Sequence, residues 1–198
     1  ATGSNRLQLQ VPGAAEYDQK GLTYCATCDG PMFADQDVAV IGGGNAGFET
    51  AAQLLAYCRH VTLLHHHNEY KADKITVDKV LSHDKMTGLL NADIMEITGD
   101  KFVNGLIYKD QSTGEKKNLS VTGIFVEIGF IPNTLFAKDV VELDNYGAIK
   151  IDPATQQTSQ PGTWAAGDCT NGIYHQNNIA AGDAVKAIED IYGHLHLK

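Results

Sequence analysis

Basic charge is scarce in this sequence. Its 198 residues include 15 Lys and Arg against 24 Asp and Glu, which gives a formal net charge of −9. A nonspecific nucleic-acid binder needs a basic face that neutralises phosphates, so this class of protein is disfavoured. The chain also has no apolar run near the roughly 18 residues that cross a bilayer. We therefore expect no nucleic-acid partner, no membrane span, no signal peptide and a cytoplasmic location.

Cysteine is also sparse, with four residues in the whole chain. A secreted scaffold built on disulfides would be shorter and richer in cysteine. Cys25 and Cys28 form a Cys-x-x-Cys pair, whereas Cys58 and Cys169 stand alone and are expected to be buried bystanders. A structural zinc site needs a second ligand pair, and the three consecutive histidines 65–67 cannot all face one ion. We therefore expect no metal site and favour a redox role for the pair.

The first half of the chain predicts a strand–turn–helix–strand unit. The sequence is 43% hydrophobic, which is enough for a real core. The apolar run Val38–Ile41 is typical of a parallel strand covered on both faces, and Val61–Leu64 repeats this pattern. Between them, apolar residues from Phe48 to Ala56 recur at helical spacing. This order predicts a right-handed βαβ unit.

The turn inside this unit fits the pattern G-x-G-x-x-G. Gly42 would allow the tight turn, Gly44 would let the backbone approach a pyrophosphate, and Gly47 would let helix and strand pack closely. The pattern alone is weak, but here it follows an apolar strand and opens a helix. We therefore predict a dinucleotide site, against the alternative of a turn that binds nothing.

The rest of the chain predicts a different arrangement of helices and strands. Periodicity and turn signals predict a helix over 71–82, an antiparallel meander over 92–98, 102–109 and 117–122, strands over 124–128, 147–151 and 163–166, and a final helix over 176–192. The fold class is α/β, with a Rossmann-like three-layer domain that carries the meander. The segment after residue 128 is too thin to form a core of its own.

Two local patterns leave their chemistry open. The spacing of Cys25 and Cys28 suits a redox disulfide, with Asp29 placed to pass a proton, but it also suits half a metal site or two buried thiols. An acid after the second strand would favour NAD and a cation would favour NADP. Histidines 65–67, at this position, are neutral or cationic and commit to neither, or they are simply exposed loop residues.

Four motifs follow one another along the chain: Cys25–Gly30, Gly42–Gly47 with Glu49, Gly123–Gly129 with Pro132–Thr134, and Ala165–Cys169. In this order they resemble the thioredoxin reductase family, and the resemblance covers essentially the whole sequence. Lys71–Asp73 and Asp110–Gly114 make the sequence most similar, within that family, to the flavoprotein subunits of alkyl hydroperoxide reductase.

This resemblance implies an FAD domain interrupted by an NAD(P)H domain. Residues 1–11 would be a remnant of the FAD domain and its linker, 12–128 the NAD(P)H domain, and 129–198 the carboxyl-terminal part of the FAD domain. The family has a further G-x-G-x-x-G loop near its amino terminus, and this chain has one such loop. We therefore expect the chain to be a portion of a longer flavoenzyme, or else a truncated, non-catalytic nucleotide-binding fragment.

The resemblance also implies roles for individual residues. Cys28 would face the flavin, Cys25 would exchange with a partner disulfide, and Asp29 would be the acid. The positions implied for the pyridine nucleotide are Gly42, Gly43, Gly44, Asn45, Ala46, Gly47, Glu49, His65, His66 and His67. The remaining cofactor positions are Ile128, Gly129, Gly167 and Asp168, with Gln176 and Asn177 beside the flavin ring.

The implied partners are FAD, NADH or NADPH, a thioredoxin-like protein or peroxiredoxin, and a second copy of the chain in a homodimer. NADPH-using members of the family carry His-Arg-Arg where this chain has three histidines. Because neither arginine is present, NADH is slightly favoured, although His66 and His67 could accept a 2′-phosphate when protonated.

Overall fold

The computed structural model describes residues 1–196, which form two compact units. The larger unit is Gln8–Ile128, and the smaller unit combines Ala1–Leu7 with the chain from Gly129 on. The strands are β1 (Ser4–Arg6), β2 (Leu22–Thr23), β3 (Asp37–Ile41), β4 (His60–Leu64), β5 (Met86–Leu89), β6 (Ala92–Gly99), β7 (Val103–Asp110), β8 (Lys116–Leu119), β9 (Gly123–Val126) and β10 (Phe130–Pro132). The helices are α1 (Ala26–Asp29), α2 (Asn45–Leu54), α3 (Lys74–Leu81) and α4 (Asn177–His196).

A five-stranded parallel sheet organises the larger unit. Its strand order is β2-β9-β3-β4-β5, and every neighbouring pair is parallel. The βαβ prediction is confirmed by β3, α2 and β4, whose strands pair in register from Asp37 opposite His60 to Ile41 opposite Leu64. In a parallel sheet of this kind, the loops at the carboxyl ends of the strands are where ligands bind. The glycine loop follows β3 at that edge.

The central strand β3 sends alternate side chains to opposite faces of this sheet, as extended backbone requires. Val38 and Val40 pack in one buried cluster with α2. Ala39 and Ile41 pack in a second buried cluster with residues of β6 and β7. The sheet therefore lies between helices on one face and the meander on the other, and the predicted Rossmann-like α/β fold in three layers is confirmed.

The predicted meander is present as the antiparallel sheet β6-β7-β8. Register shifts between Ile94 and Glu96, and between Thr98 and Gly99, interrupt the pairing of β6 with β7. The predicted helix over 71–82 begins only at Lys74, because the Asp73 side chain caps it by accepting a hydrogen bond from the Thr76 N–H at 3.1 Å. Strand β5 was not predicted from the sequence.

The smaller unit contains little regular sheet. Strands β1 and β10 pair antiparallel, and a small core collects Ala137, Val141, Ile149, Ala165 and Cys169. The prediction that the segment after residue 128 is too thin to form a core of its own was therefore wrong. The predictions of continuous strands over 147–151 and 163–166 were wrong: within the described residues these segments make isolated bridges, such as Ile149 with Thr170 and Trp164 with Gln157. Turns bend the chain there before a second pair can form. The predicted final helix is present as α4, which runs on to His196.

Within residues 1–196, no helix combines the length and the apolar character that crossing a membrane requires.

Candidate functional site

The sulfur atoms of Cys25 and Cys28 are joined in a disulfide, with the two Cα atoms 5.3 Å apart. Cys25 follows β2 and is the N-cap of α1, and its Sγ accepts a hydrogen bond from the Cys28 N–H at 3.2 Å. Cys28 is exposed, whereas Cys25 is partly buried. The disulfide can therefore be reached from solvent, which a purely structural bridge does not need.

Asp29 is anchored beside this disulfide by Thr23. The buried Thr23 hydroxyl donates a hydrogen bond to Asp29 Oδ2 and accepts one from the Cys25 N–H at 3.4 Å. The Asp29 N–H donates to the Cys25 carbonyl at 3.0 Å. The carboxyl group is thus held within one turn of both sulfurs. Thr23 lies in β2, and sequence reasoning missed it because nothing in the local pattern links it to Asp29.

The glycine loop is packed tightly against backbone atoms at two of its glycines, Gly42 and Gly47. A Cβ on Gly42 would lie 2.1 Å from the Glu127 carbonyl oxygen, and its φ of +129° disfavours other residues. A Cβ on Gly47 would lie 1.9 Å from the Gly42 carbonyl oxygen. These contacts hold the start of α2 against the ends of β3 and β9.

Gly44 differs from both, because a Cβ there would meet no atom within 4 Å. It is the N-cap of the ten-residue helix α2, and no side chain caps the helix at this end. Asn45 and Ala46, the next residues, are exposed. The open backbone and the helix N-terminus therefore form a place that an anion can approach, since the first N–H groups carry partial positive charge.

The three histidines after β4 are not equivalent. His65 is only 5% exposed, and its Nδ1 accepts a hydrogen bond from the Gly43 N–H at 3.2 Å. Burial, and after it the neighbouring His66 and His67, lowers the pKa of His65 below its ordinary value. His66 and His67 are exposed, with ring centroids 3.8 Å apart. The roles predicted for the three residues stay predictions, but only His66 and His67 present their side chains to solvent.

The end of β9 meets α2 through a hydrogen bond that the sequence did not indicate. The Thr50 hydroxyl donates to Glu127 Oε1 at 2.9 Å, while Glu49 is exposed on the same helix. Ile128 is partly buried against the core of the larger unit, and Gly129, with a φ of +107°, opens the smaller unit. The cofactor roles predicted for Glu49, Ile128 and Gly129 stay predictions.

In the smaller unit, the residues predicted to contact FAD lie at the start of α4. A Cβ on Gly167 would lie 3.1 Å from the Ala180 Cβ, so the turn before Asp168 rests on the first turns of the helix. Gln176 and Asn177 are exposed there. His175, which sequence reasoning missed, lies with its Nδ1 3.7 Å from Asp168 Oδ1.

Among residues 1–196, no three His, Cys, Asp or Glu side chains are grouped so that they could hold a metal ion.

The family model described as pyridine nucleotide-disulphide oxidoreductase matches residues 1–184. The chain belongs to this family. It is 43% identical over 195 residues to a protein of Bacillus subtilis (strain 168) named NADH dehydrogenase. It is 44% identical over 196 residues to a protein of Escherichia coli (strain K12) that is named as a subunit of alkyl hydroperoxide reductase. Each match covers 98% of this chain but only 38% and 37% of the relative.

Solved structures place the chain beside thioredoxin reductases. The crystal structure of T. acidophilum thioredoxin reductase matches with a TM-score of 0.87 and 39% identity, over 98% of this chain and 64% of that one. Lactococcus lactis thioredoxin reductase in its FR conformation matches with a TM-score of 0.85 and 34% identity, over 96% and 63% of the two chains. The sequence resemblance to the thioredoxin reductase family is thus confirmed, and the chain spans less than two thirds of these relatives.

The two remaining cysteines of this chain are shielded from reaction. Cys58 is 1% exposed and Cys169 is fully buried. Burial raises the pKa of Cys58 to about 11, and the Cys169 Sγ donates to the Ala166 carbonyl at 3.4 Å. Since the thiolate is the reactive form, Cys58 is protected both by its raised pKa and by burial, and Cys169 is protected by burial.

We therefore expect only two of the four cysteines to react when the native chain is reduced and alkylated. Iodoacetamide after mild reduction should label Cys25 and Cys28 and leave Cys58 and Cys169 unmodified, as peptide mass spectrometry would show. All four should be labelled once the chain is unfolded in denaturant. Fast labelling of Cys58 in the folded chain would contradict its assignment as a buried bystander.

Proposed function

We propose that this chain is part of a flavin-dependent disulfide reductase. Electrons would pass from NADH or NADPH, by way of FAD, to the Cys25–Cys28 disulfide and then to a disulfide of a partner protein. The observation that carries the proposal is a solvent-reachable disulfide within the same folded unit as an uncapped glycine loop. Membership of the pyridine nucleotide-disulphide oxidoreductase family supports it.

The glycine loop fits the pyrophosphate of a pyridine nucleotide. The open space at Gly44 lets phosphate oxygens reach the backbone, while the tight contacts at Gly42 and Gly47 keep the loop in one shape. In this proposal Glu49 lies near the nicotinamide, and His66 and His67 lie beside the adenosine ribose. When bound, the nucleotide supplies a hydride.

The start of α4 in the smaller unit fits part of a flavin. Gly167 and Asp168 would contact the ribityl and phosphate region, and Gln176 and Asn177 would lie by the ring. The partial positive charge of a twenty-residue helix at its N-terminus suits a group that becomes anionic on reduction. When bound, FAD would supply the two-electron redox chemistry that links the hydride of the nucleotide to reduction of the disulfide.

The chain's own residues carry the exchange with the partner. Once two electrons and two protons have opened the disulfide, the thiolate of Cys25 attacks one sulfur of the partner disulfide, and a mixed disulfide forms. Cys28 then attacks the Cys25 sulfur, which restores the original bond and releases the partner with two thiols. The pair is oxidised and the partner is reduced by the same two electrons. Asp29, held by Thr23, is the group placed to give and take the protons.

The relatives also indicate which proteins accept the electrons. The relative in Escherichia coli is named as a subunit of alkyl hydroperoxide reductase, and the structural neighbours are thioredoxin reductases. We infer a thioredoxin-like protein or a peroxiredoxin as the electron acceptor, and a homodimer as the assembly. The name NADH dehydrogenase for another relative supports NADH over NADPH, in agreement with the absence of arginine after β4.

The test is a coupled assay on the FAD-loaded holoprotein that contains this chain. We expect NADH oxidation that depends on added oxidised thioredoxin or peroxiredoxin and that yields one reduced partner disulfide per NADH. Binding of NADH without any transfer to a disulfide would instead support the alternative of a non-catalytic nucleotide-binding fragment. A lack of NADH and NADPH binding would contradict both.

A further inference from the structure

The hydrogen bond between the glycine loop and His65 fixes the protonation state of the ring. A backbone N–H can only donate, so the Nδ1 that faces the Gly43 N–H at 3.2 Å must be unprotonated. The proton of neutral His65 therefore sits on Nε2, which is buried and makes no regular hydrogen bond. A second proton on the ring would have to go onto Nδ1, and two N–H groups would then face each other.

The ring of His65 also packs directly against the backbone of the loop. A Cβ on Gly43 would lie 2.5 Å from the His65 Cγ, so backbone and ring are in direct contact. The His65 backbone is itself fixed, since its N–H donates to the Leu89 carbonyl at 2.8 Å and its carbonyl accepts from the Ala92 N–H at 2.9 Å. The backbone that carries the ring is therefore held at the edge of the sheet, directly beside the loop.

Two further hydrogen bonds tie the loop to the segment that follows His65. The Lys71 N–H donates to the Gly43 carbonyl at 2.8 Å, and the Asp73 N–H donates to the Asn45 side chain at 2.8 Å. The peptide groups on both sides of Gly43 are thus held by the region after β4. This region sets the conformation of the loop just before the backbone that would face a pyrophosphate.

We propose that neutral His65 is a positioning residue for the nucleotide-binding loop, and that protonation of its ring releases Gly43 and weakens nucleotide binding. The inference rests on the proposed nucleotide site and adds a regulation by pH to it. His65 would act through the loop rather than through contact with the ribose.

The charges around the ring favour its neutral form. The rings of His66, His67 and Tyr70 contact it, and Lys71 adds a positive charge nearby. Burial lowers the pKa of His65 most, and His66, His67 and Lys71 lower it further. A hydrogen bond with the Glu69 backbone raises this pKa and so acts in the opposite direction. Glu69 and Asp93, the acids in this region, act on the exposed ring of His67.

The sign of the pH effect follows from these neighbours. Because the pKa of His65 lies below the ordinary histidine value of about 6.5, the bond to Gly43 is intact at neutral pH. It is lost as the pH falls through the lowered value. Burial, and after it His66 and Lys71, also lowers the pKa of the exposed His67, and protonation of that ring would attract phosphate, which is the opposite effect. Variants of His65 are therefore needed to separate the two.

The decisive experiment measures NADH affinity of the full chain from pH 8 down to the acid limit of its folded state. His65→Asn places a side-chain oxygen that does not titrate near the position of Nδ1, and His65→Leu removes the acceptor. We expect the wild-type affinity to fall about tenfold through the His65 titration, the effect of one unsatisfied buried donor. His65→Asn should bind well without this fall, and His65→Leu should bind about tenfold more weakly at every pH.

His83→Asn is the matched control. The His83 Nδ1 also accepts a backbone N–H, that of Lys85 at 3.1 Å, but it lies at the end of α3 on the surface. This variant should keep the wild-type pH profile. A wild-type profile in His65→Asn would overturn the proposal, because the titrating group would then be another residue.

A second readout does not depend on nucleotide. In the ligand-free chain, the NMR signal of the Gly43 amide should shift with pH as the His65 ring titrates in the wild type, and it should not do so in His65→Asn. A Gly43 signal that is unaffected by the ring titration would overturn the proposal. If neither NADH nor NADPH binds at any pH while this signal titrates, the proposed function fails, whereas the contact by which His65 positions the loop stands.

Discussion

Cys25→Ser in the FAD-loaded holoprotein is expected to abolish reduction of the partner disulfide and to leave flavin reduction by NADH nearly intact. Removal of an attacking nucleophile costs on the order of several powers of ten in rate. Serine cannot form a mixed disulfide, so turnover with the partner should fall by about a thousandfold or more. Stopped-flow absorbance of the flavin and a coupled partner assay measure the two steps separately.

The matched comparisons are Cys28→Ser and Cys58→Ala. Cys28→Ser should also stop turnover, but its free Cys25 should trap the partner as a lasting mixed disulfide, which a non-reducing gel would show. Cys58→Ala removes a buried thiol that has no part in the exchange and should keep partner reduction. Loss of flavin reduction in Cys25→Ser, with Cys28→Ser unaffected, would reverse the roles assigned to the two sulfurs.

Gly44→Ala and Gly47→Ala are expected to separate nucleotide binding from folding. A Cβ on Gly47 would overlap the Gly42 carbonyl oxygen at 1.9 Å, so α2 must shift and unfolding free energy should fall by about 1–3 kcal/mol or more. A Cβ on Gly44 meets no atom, and its φ of −91° suits alanine. Gly44→Ala should therefore keep the wild-type Tm but weaken NADH binding about tenfold or more, because the methyl group occupies the approach of the pyrophosphate.

Thermal melts and NADH titrations on the same preparations check both variants. Unchanged NADH affinity in Gly44→Ala would contradict the placement of the pyrophosphate at this glycine. An unchanged Tm in Gly47→Ala would show that the start of α2 yields more easily than its contacts imply.

The parts of the fold that could be predicted from the sequence are those in which local pattern and burial agree. The runs Val38–Ile41 and Val61–Leu64 are apolar on both faces, and both became central parallel strands with nearly the predicted limits. The alternating runs after residue 92 became the meander, because a strand with one buried face carries a period of two. Local sequence determines these elements.

The strands predicted over 147–151 and 163–166 are absent, and β5 was missed, for the opposite reason. Strand formation around Ile149 and Trp164 depends on a neighbour that stays alongside, and turns allow only single bridges. Strand β5 is only four residues long and contains Gly88, so its sequence carries little β signal, and pairing with β4 supplies its structure. In both cases the deciding contact comes from a distant part of the chain.

The residues of the candidate site could likewise be predicted from the sequence only in part. The disulfide pair and the glycine loop are contiguous motifs, and their residues could be named in advance. Thr23 beside Asp29, and the different environments of His65 and its two neighbours, depend on how β2, β4 and the loop meet. A run of three histidines gives no indication of which ring is turned inward.

Electron delivery to the Cys25–Cys28 bond is the step on which the proposed function depends most. Anaerobic titration of the FAD-loaded holoprotein with one equivalent of NADH, followed by alkylation and mass spectrometry, measures this step. We predict two newly labelled thiols per chain, at Cys25 and Cys28, with Cys58 and Cys169 unlabelled. Oxidation of the NADH with the Cys25–Cys28 disulfide left intact would contradict the proposed function.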